Sequence, residues 1–181
     1  MRIAISSLLA SATIAAMGLP AYAGGPAGTS PVTLKFGAYA AQNVGTGYYI
    51  GLDYAFGSRP SSSPGPFSAY ADFLGGGASR EYSRSSGFGL AARSGGAVFF
   101  GAGAGIYNVS YTPPTAAYLC PPLPQGCPNS NPTVTANGLG GKIFVGTNLG
   151  KGADVEIDYD MLPAVPYYRV NGVTLEIGLR L

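Results

Sequence analysis

The sequence predicts an all-β fold: an eight-stranded antiparallel up-and-down barrel that crosses a membrane. Three observations carry this expectation. Eight segments alternate residue by residue between two faces, as strands do and helices do not. In each segment one face collects Leu, Ile, Val, Phe and Ala, while the other collects Gly, Tyr, Ser, Thr and most of the charge. Charged residues make up only 10% of the 181-residue chain, well below the roughly 25% of ordinary soluble domains. With 46% hydrophobic residues and a mean hydropathy of +0.21, the chain is too apolar to be disordered.

The N-terminus reads as a secretory signal over residues 1–23. Arg2 supplies a positive start, Ile3 to Leu19 an apolar run, and Ala21-Tyr22-Ala23 a small-x-small cleavage site. Residues 24–31, rich in Gly, Pro, Ser and Thr, form a lead-in. After residue 23 no apolar run reaches the roughly 18 residues that a membrane helix requires. The expectation is therefore an exported chain whose residues 32–181 form one barrel domain.

The strand-like segments follow in order. In 32–41, Val32, Leu34, Phe36, Ala38 and Ala40 alternate with Thr33, Lys35, Gly37 and Tyr39. In 48–56, Tyr48, Ile50, Leu52, Tyr54 and Phe56 share a face. A Ser/Pro linker follows, which no sheet interior accepts. Segment 67–74 sets Phe67, Ala69, Ala71 and Phe73 against Ser68, Tyr70 and Asp72, and 75–84 reads as a polar loop. Segment 85–93 and the tight turn Ser94-Gly95-Gly96 lead into 97–110. The stretch 111–132 is the longest loop, and 133–147 is the sixth segment. In 153–161, Ala153, Val155, Ile157, Tyr159 and Met161 alternate with Asp154, Glu156, Asp158 and Asp160. The last segment, 168–181, carries Val173, Leu175, Ile177, Leu179 and Leu181 on one face and Thr174, Glu176, Gly178 and Arg180 on the other.

An even strand number returns both ends of the sheet to one rim, so the first and last strands can pair and abolish edges. A soluble barrel or sandwich would turn the aliphatic face inward and set most of the charge outside. Here the polar face is rich in glycine and tyrosine, which suits a narrow lumen. The aliphatic face then meets lipid, where an ion near the midplane costs about 2–4 kcal/mol. Tyr48, Tyr54, Phe56, Phe67, Phe73, Tyr107, Tyr111, Tyr159, Tyr167 and Tyr168 cluster near segment ends, where interfacial girdles are expected.

Three stretches resemble the small outer-membrane β-barrel family of the OmpA-like or opacity-protein-like kind. Phe99-Phe100-Gly101-Ala102-Gly103-Ala104-Gly105-Ile106-Tyr107 is similar to its Gly-alternating fifth strand. Asn137-Gly138-Leu139-Gly140-Gly141-Lys142-Ile143-Phe144-Val145-Gly146 is similar to its sixth. Gly172 to Leu181 resembles the C-terminal strand read by the outer-membrane insertion machinery, with Leu179 and Leu181 where the family usually places aromatics. The resemblance implies the outer membrane of a Gram-negative-type bacterium, with outer-membrane lipid and, through residues 172–181, the insertion machinery as partners. Adhesins, pores, enzymes and structural anchors share this architecture, so fold alone does not give function.

Candidate chemistry sits in two places. The polar faces bring Lys35, Asp53, Asp72, Arg93, Lys142, Asp154, Glu156, Asp158, Glu176 and Arg180 toward one lumen. Opposite charges there must pair, and strand order suggests Lys35 with Glu176, and Arg180 with Asp154 or Glu156. The expectation is a lumen plugged by ion pairs. The loop 111–132 holds Tyr111, Tyr118, Cys120 and Cys127 among many prolines. Its cysteines lie in the exported part, where a disulfide persists, and its exposed tyrosines suit a contact surface.

Other chemistries find little support. The sequence has no His, which removes the usual base of a Ser triad. Asp158 and Asp160 share a face, but such carboxylates are more often ion-paired than catalytic. Two Cys without His do not fill a zinc shell. Gly101 to Gly105 lacks the spacing of a nucleotide loop, and a net charge of +2 with scattered basic residues leaves no nucleic-acid footprint. The reading is a non-enzymatic barrel with no cofactor or metal, in a structural or surface-contact role toward an unidentified ligand. The alternatives are a narrow channel for ions or small solutes, and a soluble secreted β-domain.

Overall fold

The alternating segments form eight antiparallel strands: β1 (Val32–Ala41), β2 (Gly45–Phe56), β3 (Phe67–Ala78), β4 (Glu81–Arg93), β5 (Val98–Thr112), β6 (Val134–Gly150), β7 (Ala153–Met161) and β8 (Gly172–Arg180). Each strand pairs with its sequence neighbours, and β1 pairs with β8 to close the barrel. This computed structural model describes residues 31–42, 44–56, 66–78, 81–113, 133–150, 152–165 and 169–181. The signal and lead-in assignments fall almost wholly outside them. Among the described residues there is no helix.

Closure follows from the registers. Thr33 faces Arg180 and Ala41 faces Gly172 across β1–β8, an unbroken ladder. The amide of Leu181 donates to the carbonyl of Val32 at 3.0 Å, which ties the start of β1 to the end of β8 on one rim. With every strand paired, no backbone edge is left for water to satisfy, and this permits a β-sheet in lipid.

The faces sort as the sequence predicts. Leu139 is 83% exposed, Phe100 68% and Leu90 63%, while Lys35 is 2% exposed and Glu176 0%. This is a soluble protein turned inside out, and the barrel is transmembrane. On β5 the outward apolar run extends from Val98 to Ile106. At about 3.3 Å per residue and a tilt near 40°, it rises about 20 Å, close to the apolar band of outer-membrane barrels. Above it the outward face turns polar. Asn108 donates to Asn137 at 2.6 Å, Ser110 meets Thr135 at 3.3 Å, and Thr112 meets Thr133 at 2.9 Å.

Several strands outrun their expected lengths. Residues 75–78 and 81–84 are strand rather than polar loop, because Gly75, Gly76 and Gly77 pair with Arg84, Ser83 and Tyr82. Glycine and serine weaken a strand locally, yet the ladders on both sides carry it on. Conversely, β8 begins only at Gly172. The carbonyl of Val170 accepts from the Tyr39 hydroxyl and that of Asn171 from the Gln42 amide, so this segment turns inward instead of pairing as strand.

At the opposite rim two connections are short, β4–β5 and β6–β7. Gly96 between β4 and β5, and Gly152 between β6 and β7, take φ of 121° and 85°, a left-handed conformation that glycine adopts without strain. Ser94 closes the first turn by donating its amide to the Phe100 carbonyl and accepting the Phe100 amide on its Oγ.

Candidate functional site

The lumen is the site with chemistry, and its wall is built to hold large groups. Gly103 and Gly140 stand where a Cβ would lie 2.9 Å from the Tyr70 ring and 2.7 Å from the Tyr107 ring. Glycine at lumen positions thus makes room for tyrosine from other strands, in a barrel whose interior is only wide enough for side chains.

Two lysines organise the middle layer. The β7–β8 register sets Glu156 directly opposite Glu176, and like charges so placed repel. Lys35 of β1 resolves this, its ammonium lying 2.8 Å from Glu156, 2.5 Å from Glu176 and 3.3 Å from Asp53. Lys142 of β6 reaches Asp72 at 3.3 Å and Asp158 at 3.7 Å, and sits 4.4 Å from the Tyr70 ring centre. Asp72 also accepts from Tyr49 at 2.6 Å and Tyr107 at 3.3 Å, and Tyr107 bonds Tyr70 at 3.1 Å. Cations, carboxylates and phenols form two adjoining clusters buried from solvent.

Toward the rim that carries the ends of β1 and β8, the Arg93 guanidinium stacks 3.6 Å from the Phe99 ring centre. The expected pairing of Arg180 with Asp154 or Glu156 is not made. The register places Gly178 opposite Asp154, and the Arg180 amide bonds Gly152. Arg180 therefore sits beyond the carboxylates of β7. Toward the other rim the lumen becomes apolar: Leu74, Val109 and Tyr111 are buried there, together with Val44 and with Leu162, Val165 and Val170 of the β7–β8 connection. The Leu162 amide donates to Asn171 Oδ1 at 3.0 Å and ties the two ends of that connection together.

Of the sequence candidates, Lys35, Asp53, Asp72, Lys142, Glu156, Asp158 and Glu176 come together as ion pairs. Tyr111 is corrected. It belongs to β5 and is 1% exposed, so it is neither a loop contact nor a girdle residue. Tyr107, also 1% exposed, likewise leaves the girdle for the lumen. Both fall on the lumen side of the β5 alternation, which sets their direction even near the strand end. Tyr48, Tyr54, Phe56, Phe67 and Tyr159 do face outward. Tyr118, Cys120, Cys127, Tyr167 and Tyr168 lie outside the described residues.

Sequence reasoning missed four members of the lumen network. Tyr49, Tyr70 and Tyr107 serve as its hydrogen-bond donors and acceptors, and Asp160, fully buried, accepts from Thr174 at 2.6 Å. Their position on the charged face was the available signal.

Comparison of the sequence with protein families and with curated proteins finds no match. Comparison of the fold does. The attachment invasion locus protein Ail of Yersinia pestis, solved with the heparin analogue sucrose octasulfate, is 12% identical and superposes with a TM-score of 0.52 over 84% of this chain and 97% of Ail. Neisserial surface protein A is 13% identical, with a TM-score of 0.51 over 85% of this chain and 99% of that one. The fold is that of the small eight-stranded outer-membrane barrels. The N-terminal barrel domain of Pseudomonas aeruginosa OprF also aligns, at 10% identity and a TM-score of 0.48 over 81% of this chain and 96% of the domain. At such identities the likeness shows the fold alone.

Proposed function

We propose that the protein is an integral outer-membrane barrel that acts by contact at the cell surface, with a lumen that does not conduct and no catalytic role. The ion pairs across the lumen are the observation that supports this reading. Lys35 and Lys142 gather carboxylates and tyrosines across its middle, and Val165 and Val170 fold into its apolar end. Each ion-paired layer would have to be broken for a hydrated ion to pass. Asp158 and Asp160, the one carboxylate pair considered for catalysis, are drawn to Lys142 and Thr174 inside this packing.

On this reading contact falls to the connections between strands, of which the stretch between β5 and β6 is the longest. Ail is named for attachment and was solved with a heparin analogue. It is a precedent for surface contact on this fold, although the fold alone does not transfer the role. On this reading the insertion machinery engages the outward stripe of β8.

Two measurements test the proposal. The refolded protein in a planar bilayer should show no sustained current, and a steady large conductance would favour the channel instead. Replacing residues 114–132 by a short Gly/Ser linker should leave a folded barrel but abolish binding to cells or extracellular matrix. Unchanged binding would refute the contact role of that stretch.

A further inference from the structure

Glu156 and Asp158 stand two residues apart on the lumen face of β7, with Glu176 of β8 directly across from Glu156. One carboxylate oxygen from each of the three lies within 4.8 Å of the others. Their side chains are 1%, 0% and 0% exposed. A calcium ion bound at about 2.3–2.6 Å holds opposite oxygens about 5 Å apart, so these carboxylates already stand at ligand spacing.

The hydrogen bonding gives an independent reason to place a cation here. Neither oxygen of Asp158 has a hydrogen-bond partner, and Oε2 of Glu176 has none. Lys35 engages only Oε1 of Glu156 and Oε1 of Glu176, so it fixes both residues without occupying Glu176 Oε2. Lys142 pairs with Asp158 only loosely, at 3.7 Å and without a hydrogen bond, while it engages Asp72 at 3.3 Å. A fully buried carboxylate without a hydrogen bond is strongly disfavoured unless a positive charge reaches it.

The charge balance points the same way. On the lumen face four cations, Lys35, Arg93, Lys142 and Arg180, stand against seven carboxylates: Asp53, Asp72, Asp154, Glu156, Asp158, Asp160 and Glu176. A divalent ion offsets two of the three negative charges in excess. We propose that the lumen binds one small, hard divalent cation of the calcium class between Glu156, Asp158 and Glu176. The ligands are oxygen only, and the chain has no His, which disfavours zinc. Three carboxylates on two adjacent strands suit the irregular coordination of calcium better than the strict octahedron of magnesium.

The test uses residues 24–181 refolded in detergent, once with EDTA and once with calcium present, because the site is enclosed. Folding of every variant is checked by heat-dependent gel mobility. Terbium, a calcium mimic excited through the lumen tyrosines, should bind saturably at one ion per barrel and be displaced by calcium. Calcium should also raise the urea midpoint relative to EDTA. Asp158→Asn, nearly isosteric, should weaken terbium binding at least about tenfold, and Glu176→Gln should act likewise as a second variant. Asn137→Ala, on the outward face away from the lumen, should leave it unchanged. Absence of saturable binding to the folded barrel, or equal affinity in Asp158→Asn and Glu176→Gln, would overturn the proposal. So would a urea midpoint that ignores calcium but rises as pH falls, since protons would then supply the missing charge. None of these outcomes depends on the surface-contact role.

Discussion

Lys35 holds the most demanding position in the molecule. Its ammonium lies within 3.3 Å of three carboxylates, two of them forced opposite each other by the register. Removing one partner of a buried pair leaves uncompensated charge. We expect Lys35→Met to destabilise the barrel by about 3–5 kcal/mol, read from urea unfolding in detergent. Adding Glu156→Gln and Glu176→Gln to that variant should recover most of the loss, because the stranded charges are gone. A triple variant as unstable as the single one would mean that packing, not charge, sets the cost. The pairing of Lys35 with Glu176 was legible from strand order alone. The third partner, Glu156, and the tyrosines around Asp72 were not, since they depend on how far each side chain reaches across the lumen.

At the scale of the element, β5 and β6 show where the membrane ends. Both carry aliphatic residues outward at Ile106, Leu139 and Ile143, then switch to the Asn108–Asn137 pair and the hydroxyl pairs beyond it. Alternation is unchanged along this length, and only the chemistry of the outward residue changes. An arginine placed at Ile143 should therefore cost about 2–4 kcal/mol of folding free energy in liposomes, and one at Asn137 about 0–1. Equal costs would place both positions in the same environment and remove the boundary drawn here. Element ends were the least legible part of the sequence. Gly75 to Gly77 carry turn-like composition yet are held in strand by Tyr82, Ser83 and Arg84 across the ladder. Val170 has strand-like composition yet is buried in the lumen end.

For the whole molecule, closure decides stability. All eight strands have two partners, and the β1–β8 ladder joins residues more than 130 apart in sequence, such as Ala41 and Gly172. Such a sheet has no edge from which to unravel. The folded protein should therefore resist SDS without heating and run with anomalous mobility until boiled. Identical mobility of boiled and unboiled samples after refolding would contradict a closed barrel. Membrane fractionation adds a second check: recovery from a soluble fraction without detergent would contradict the outward apolar belt.

The sequence by itself determined the architecture, because the signal is periodic and repeated. A side-chain period of two, carried through eight segments with one aliphatic and one polar face, has few structural solutions when charge is only 10% of the chain. It also determined which face is the lumen, and so placed Lys35, Lys142 and the β7 carboxylates inside. Tertiary structure alone decided who meets whom. Register set Glu156 against Glu176 and carried Arg180 past Asp154. Barrel closure brought Lys142 on β6 across to Asp72 on β3. Alternation names the face of a residue and is silent on its height and its neighbour across the lumen. Those follow from the stagger of strands, a property of the closed sheet and of no single segment.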